Sequence, residues 1–349
     1  MRAPGGFRTR LFEAALLLAA SLACLLLAEL ACRVFLPQWK PQDPVEGLWR
    51  YDALLGWAHQ PGRVVRWRIR DASPTVTLSS AGLRDREYPL ARSPGRRRML
   101  VLGDSMAWGW GVEDDEVVSE RLEARHPDWE ILNAGVAGYA TDQQLLYWEQ
   151  RGRRWAPDVV LLLFHPNDAL ENESTTQGLH YKPAFRLEGG ALVAVGQPVP
   201  EPSWGQVVGK FLRAHSYLFG RVHRRLWDAW LEPRIAPASG RLSPDGPEVD
   251  YLLSMRLLLA LAQSVEAAGS RFLVASVPMP EPETAPVERS VAKTLAWAGV
   301  PYLPLTAAFG DRLDALMQRW NGHWNAEGHA VAASAIEVFL VSEGVFRGH

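Results

Sequence analysis

The chain has 349 residues, 48% of them hydrophobic and 22% charged, with a formal net charge of −2. That balance supports a packed core and excludes a basic nucleic-acid binder. Its two cysteines, Cys24 and Cys32, both lie near the N-terminus, which excludes a disulfide framework or a cysteine nucleophile further along.

Arg2, Arg8 and Arg10 precede residues 11–35, LFEAALLLAASLACLLLAELACRVF. A stretch of this length crosses a bilayer as a helix, and arginines ahead of it favour the N-terminus inside and the rest outside. Residues 1–36 therefore read as an uncleaved transmembrane signal-anchor. A cleaved signal peptide competes, but the apolar stretch is long for one and lacks a clean small-residue site. SLAC and ELAC match a lipidation site poorly.

Residues 37–97 read as a Pro-rich linker followed by a small β-rich arm. VVRWRIR (64–70) and TVTLSS (75–80) alternate as strands do. GRRRM at 95–99 reads as the solvated approach to a buried strand.

From residue 98 short apolar strands alternate with helices. Strands are expected at 99–103, 130–135, 158–165, 272–278 and 300–305. Helices are expected at 115–125, 142–153, 249–268, 287–297 and 326–342. This rhythm predicts an α/β/α sandwich with a five-stranded parallel sheet over 98–349. Residues 171–248 break the rhythm and are too long for an ordinary loop. They contain a hairpin at 185–195 turning on Gly189 and Gly190, and an amphipathic helix at 207–231. The whole reads as a lid-like insertion over the sheet's C-terminal edge, where α/β ligands bind.

Four pieces could carry chemistry. VLGDSMAWGWG (101–111) puts Ser105 just past a strand end, where backbone N–H groups can stabilise an oxyanion. NAGVAGY (133–139) offers Gly138, and FHPNDAL (164–170) offers Asn167. RWNGHWNAEGH (319–329) offers His323 after the fifth strand. Taken singly, each is also an ordinary turn or cap.

Together and in this order, the four blocks resemble the SGNH hydrolases, or GDSL esterases and lipases. The front of the chain, with GWAHQPG (56–62) and SSAGLRDREYP (79–89), is similar to membrane-anchored bacterial members. The resemblance implies that Ser105 is the nucleophile and His323 the general base. It also implies an oxyanion hole made by the Ser105 and Gly138 N–H groups and the Asn167 side chain. Asp104 and Asp168 adjoin these residues and read as supports for the loops that carry them. No cofactor and no metal are implied; the chain has no HExxH and no Cys/His cluster.

The family usually has an aspartate two or three residues before the histidine, where this chain has Asn321 and Trp320. Three readings follow. Asn321 orients the ring, or Asp311 or Asp314 reaches it, or the protein is a non-catalytic relative. His329 reads as a packing histidine and His165 as a pocket-lining one. Among the 15 tryptophans, Trp108, Trp110, Trp320 and Trp324 lie nearest the motifs and read as core anchors before sugar-stacking platforms.

The leading expectation is a membrane-anchored serine esterase facing the periplasm. Its expected substrate is an O-acetyl or other acyl ester on an envelope polysaccharide or glycolipid, with acyl transfer the close alternative. The competing classes are a carbohydrate-binding scaffold protein with an inactive site, and a lipase or lysophospholipase. No protein partner is indicated.

Overall fold

The computed structural model describes residues 5–36, 47–67, 69, 72–178, 180–231, 240–242, 245–279, 285–319 and 322–347. The chain divides into two units, Met1–Pro44 with Ser203–Ile235, and Val45–Pro202 with Ala236–His349.

The first unit is built on α1, Gly5–Phe35. Its stretch Arg8–Phe35 is long and apolar enough to cross a membrane, and its side chains are exposed except at Ala28, Glu29 and Cys32, which are half-buried. The helix expected at 207–231 is two helices, Trp204–His215 and Tyr217–Leu231. They part at Ser216, which is extended (φ −113°, ψ 121°) and whose hydroxyl accepts from the Phe219 N–H at 3.0 Å. A serine that caps the next helix ends the one before it. Within 171–248, Ser203–Ile235 groups with α1, and the remainder stays with the second unit.

The second unit holds the sheet. Its strands are β1 (Arg97–Gly103), β2 (Trp129–Asn133), β3 (Val159–Phe164), β4 (Arg271–Ser276) and β5 (Tyr302–Pro304). They are all parallel, in the order β5-β4-β3-β1-β2. Successive side chains point to opposite faces, so each face takes its own core. Leu100, Leu102, Val160 and Leu162 pack with helices α3 (Thr141–Gln150), α4 (Leu252–Ala267) and α5 (Ala285–Ala298). Met99, Val101, Leu161 and Leu163 pack with α2 (Val118–Arg125) and α6 (Ala326–Ser342). Burial on both faces is why these strands read as unbroken apolar runs. The order reverses between β1 and β3, the switch point at which ligands bind in open α/β sheets.

The arm belongs to this unit. Two hairpins, Trp49–Asp52 with Gly56–His59 and Arg63–Arg66 with Thr75–Leu78, lead into a cluster of Leu48, Trp67, Ile69, Val76 and Leu78 around Trp108. The hairpin at Ala184–Glu188 and Ala191–Val195 turns on Gly189 and Gly190 at φ +57° and +86°, the two-glycine turn read from the sequence.

GRRRM needs correcting. Arg98 is fully buried, pairs with Glu130, and donates to the carbonyls of Pro89, Leu90 and Trp155. A buried guanidinium requires that number of acceptors. Only Arg96 and Arg97 of that trio are exposed.

Candidate active site

β1 ends at Gly103, and Ser105 opens a single helical turn, Ser105–Trp108. Asp104 caps the turn, its carboxylate accepting from the Met106 N–H at 2.8 Å. Gly103 sits at φ +152°, and a Cβ there would come within 2.9 Å of the Leu163 carbonyl oxygen. Only glycine fits so sharp a turn. Ser105 is thereby held at the C-terminal edge of a central strand. Asp104 is buried; burial pushes its carboxyl up, while neighbouring His165 and hydrogen bonds from Met106 and Ser105 oppose the shift.

His323 comes from the loop before α6. Its Nε2 lies 2.8 Å from Ser105 Oγ. The imidazole stacks on Trp110, with ring centroids 5.3 Å apart and planes 20° apart. Trp110 in turn meets Trp67 of the arm edge-on at 4.4 Å. Gln318 ties the two loops together. Its N–H donates to the His323 carbonyl at 2.6 Å, and its Nε2 to the carbonyls of Trp110 and Trp324.

β2 and β3 flank β1, so their C-terminal loops bring Gly138 and Asn167 to the same edge. Gly138 is at φ +81°, and a Cβ there would fall 2.5 Å from Gln177 Oε1. Among the described residues, the N–H groups of Ser105 and Gly138 donate to no protein acceptor. Asn167 donates through Nδ2 to Glu171 Oε1 at 3.3 Å. A hydroxyl against an imidazole, with open amides on adjacent loops, is an arrangement suited to acyl transfer.

A profile of the GDSL-like lipase/acylhydrolase family matches residues 101–331. The chain belongs to that family. Among solved structures, this GDSL-like acylhydrolase is similar to TesA, at 14% identity over 70% of this chain and 98% of that one, with a TM-score of 0.44. It is similar to the psychrotrophic esterase EstA of Pseudoalteromonas sp., at 14% identity, 71% and 98% coverage and a TM-score of 0.43. It is also similar to a catalytic mutant of Axe2, an acetylxylan esterase from Geobacillus stearothermophilus, at 12% identity, 71% and 96% coverage and a TM-score of 0.40. No curated protein matches its sequence.

Around the GDSL-like core, several groups carry no motif. Asp168 Oδ2 accepts from Thr141 Oγ1 at 3.0 Å and from Gln144 Nε2 at 3.2 Å, which ties the Asn167 turn to α3. Burial, with the charges of Asp104 and Glu171 nearby, pushes its carboxyl well above the usual range. Lys182 and Asp142 form a fully buried ion pair, and Lys182 Nζ also donates to the carbonyls of Glu171 and Ser174. His165 accepts from the Asn167 N–H at 3.2 Å. His329 is buried edge-on to Trp324, and burial lowers its imidazole to about 3, so it is a neutral packing residue. Trp108 and Trp324 are core; Trp110 stacks on His323. Trp320 and Asn321 lie outside the described residues. Asp311 and Asp314 are exposed, and neither carboxylate pairs with a described residue. Among the described residues no group of His, Cys, Asp or Glu is placed to hold a metal ion.

Glu171 was not legible in the sequence. Burial raises its carboxyl to about 7, with repulsion from Asp104 and Asp142 adding and Gln177 and Lys182 opposing. A carboxyl protonated more readily in the fold than in the unfolded chain stabilises fully below about pH 4.5, and that contribution is lost as pH rises through about 7. Glu171→Gln is therefore expected to flatten the fall in melting temperature between pH 5 and 8. A slope equal to wild type would show that Glu171 titrates normally. The ionised carboxylate would also hold the Asn167 amide beside a negative charge, so the variant's activity is expected to decline less above pH 7.

Proposed function

We propose that this GDSL-like acylhydrolase is a serine ester hydrolase, anchored by α1 with its catalytic unit on the periplasmic side. It removes small O-acyl groups, acetyl first, from an envelope polysaccharide or glycolipid. The observation that carries this reading is the 2.8 Å approach of His323 Nε2 to Ser105 Oγ. A serine hydroxyl is a poor nucleophile until a neighbouring base accepts its proton. His323 would take that proton as Oγ attacks the ester carbonyl. The developing oxyanion would be met by the Ser105 and Gly138 N–H groups and the Asn167 amide, each donor contributing roughly 3 kcal/mol to the transition state. His323 would then protonate the leaving alcohol, and water would release the acyl group by the reverse sequence. A sugar hydroxyl in place of water would give acyl transfer.

Two features support a small acyl group. Gln177 crowds Gly138, and Glu171 borders Asn167, so polar side chains bound the carbonyl site. The full-length protein is expected to hydrolyse p-nitrophenyl acetate faster than the decanoate and to take a fluorophosphonate label at Ser105. A preference for decanoate would transfer the reading to a lipase.

The acid position gives a second test. An amide can orient an imidazole but cannot stabilise its charge, and acid-to-amide exchange in a serine triad costs about 10⁴ in turnover. Asn321→Asp is expected to raise kcat by one or more orders of magnitude, up to about 10⁴. Asp311→Asn and Asp314→Asn are expected to leave it unchanged, because both carboxylates face solvent. Loss of activity in either would identify the acid instead.

A further inference from the structure

In the first unit, two helices carry apolar faces that the described residues of the unit leave largely exposed. Trp204, Val207, Val208 and Phe211 fall at the i, i+3, i+4, i+7 spacing of a single face, with Lys210 at its flank and Arg213 on the other side. Trp204 is 81% exposed and Phe211 60%. On the Tyr217–Leu231 helix, Phe219, Val222 and Leu226 share a face, with Arg225 at its flank and Arg221 on the other side, and Leu226 is 65% exposed. Basic residues opposite an apolar stripe carrying Trp and Phe are the pattern of helices lying in a membrane interface.

The corner between these helices is fastened to α1 at a specific depth. Glu29 accepts from the N–H groups of Tyr217 and Leu218 at 3.0 and 2.9 Å and from Ser216 Oγ at 2.8 Å. One turn later Arg33 pairs with Glu29 at 2.8 Å, donates to the His215 carbonyl at 2.9 Å, and lies over the Tyr217 ring. Glu29 thus satisfies the start of one helix, and Arg33 the end of the other. Arg8 and Glu29 are separated by about 31 Å of helix at 1.5 Å per residue. The hydrocarbon core is about 30 Å thick. With Arg8 at one boundary, Glu29 and the helix corner sit at the other. A carboxylate at that depth needs the donors this corner supplies.

We infer that residues 204–226 form a second membrane contact, an amphipathic helical hairpin. It lies in the outer interface of the bilayer crossed by α1, with Trp204, Val207, Phe211, Val222 and Leu226 in the headgroup–acyl boundary. The inference rests on the anchoring reading above, and the test separates the two. The full chain, with Cys24 and Cys32 replaced by Ala, is reconstituted in phosphatidylcholine–phosphatidylglycerol vesicles. It carries one NBD-labelled cysteine at a time: Leu18→Cys on the span, Phe211→Cys on the apolar face, or Arg213→Cys on the basic face. The labels at 18 and 211 are expected to shift to the blue and to be quenched by lipid-borne nitroxides, and the label at 213 to stay aqueous. A label at 211 that matches 213 while 18 remains in lipid would overturn the hairpin and keep the anchor. A label at 211 hidden from both lipid and aqueous quenchers would overturn it in favour of a protein partner. A label at 18 exposed to water would overturn both.

Discussion

Ser105→Ala is expected to abolish ester hydrolysis, lowering kcat by a factor on the order of 10⁴ to 10⁶. The size follows from what the substitution removes and what it leaves. It deletes the oxygen that lies 2.8 Å from His323 Nε2. The imidazole would stay on Trp110, and Asp104 would still cap the turn through the Met106 N–H. The amides at 105 and 138 would also remain, so a residue of oxyanion stabilisation would persist without covalent chemistry. The expected signature is loss of turnover with nearly unchanged KM and melting temperature. The fluorophosphonate label should vanish with it. A folded Ser105→Ala protein that hydrolyses p-nitrophenyl acetate at the wild-type rate would remove Ser105 from the mechanism and favour a scaffold role.

The central strands were legible because they are buried on two faces. MLVLG and DVVLLLFH carry no polar interruption, and the loops after them carry Ser105 and Asn167. The site's second layer was not legible, because its members are joined in space and not by spacing. Gln318 reaches Trp110 across 208 residues, and Gln177 reaches Gly138 from a short strand, Thr176–Gln177, within the stretch that reads as insertion. Gly103 and Gly138 had a signal in principle, since a glycine after a buried strand often marks a forced turn. Arg98 misled because a charge in a run of arginines reads as solvated, whereas Glu130 and three carbonyls receive it. The break at Ser216 was hidden because the apolar spacing continues on both sides. Only the capping bonds at Glu29 and Phe219 show where one helix stops.

The largest stability effect is expected at Arg84, in the segment SSAGLRDREYP. Arg84 is buried, and its guanidinium donates to the carbonyls of Trp108, Gly109 and Val112 and to Asp114 Oδ1 at 3.1 Å. It also lies over the Trp108 ring, 4.8 Å from the centroid. These carbonyls belong to the loop that follows Ser105 and carries Trp110. Arg84→Met keeps much of the aliphatic bulk but strands the carbonyls, and removing one member of a buried ionic network costs roughly 3–5 kcal/mol. The melting temperature is expected to fall on the order of 10 °C. Arg312→Met is the control. Arg312 pairs with Glu327 at 3.3 Å with both side chains exposed, and such pairs contribute about 1 kcal/mol or less. A second readout separates stability from positioning. Below its melting point, Arg84→Met is expected to lose kcat as well, because Trp110 would no longer hold the His323 ring in register with Ser105. Equal melting temperatures for the two variants would show that the loop is held by packing of Trp108 alone. A lowered melting temperature with full kcat would show that Gln318 is sufficient to hold the His323 loop against the loop that carries Trp110.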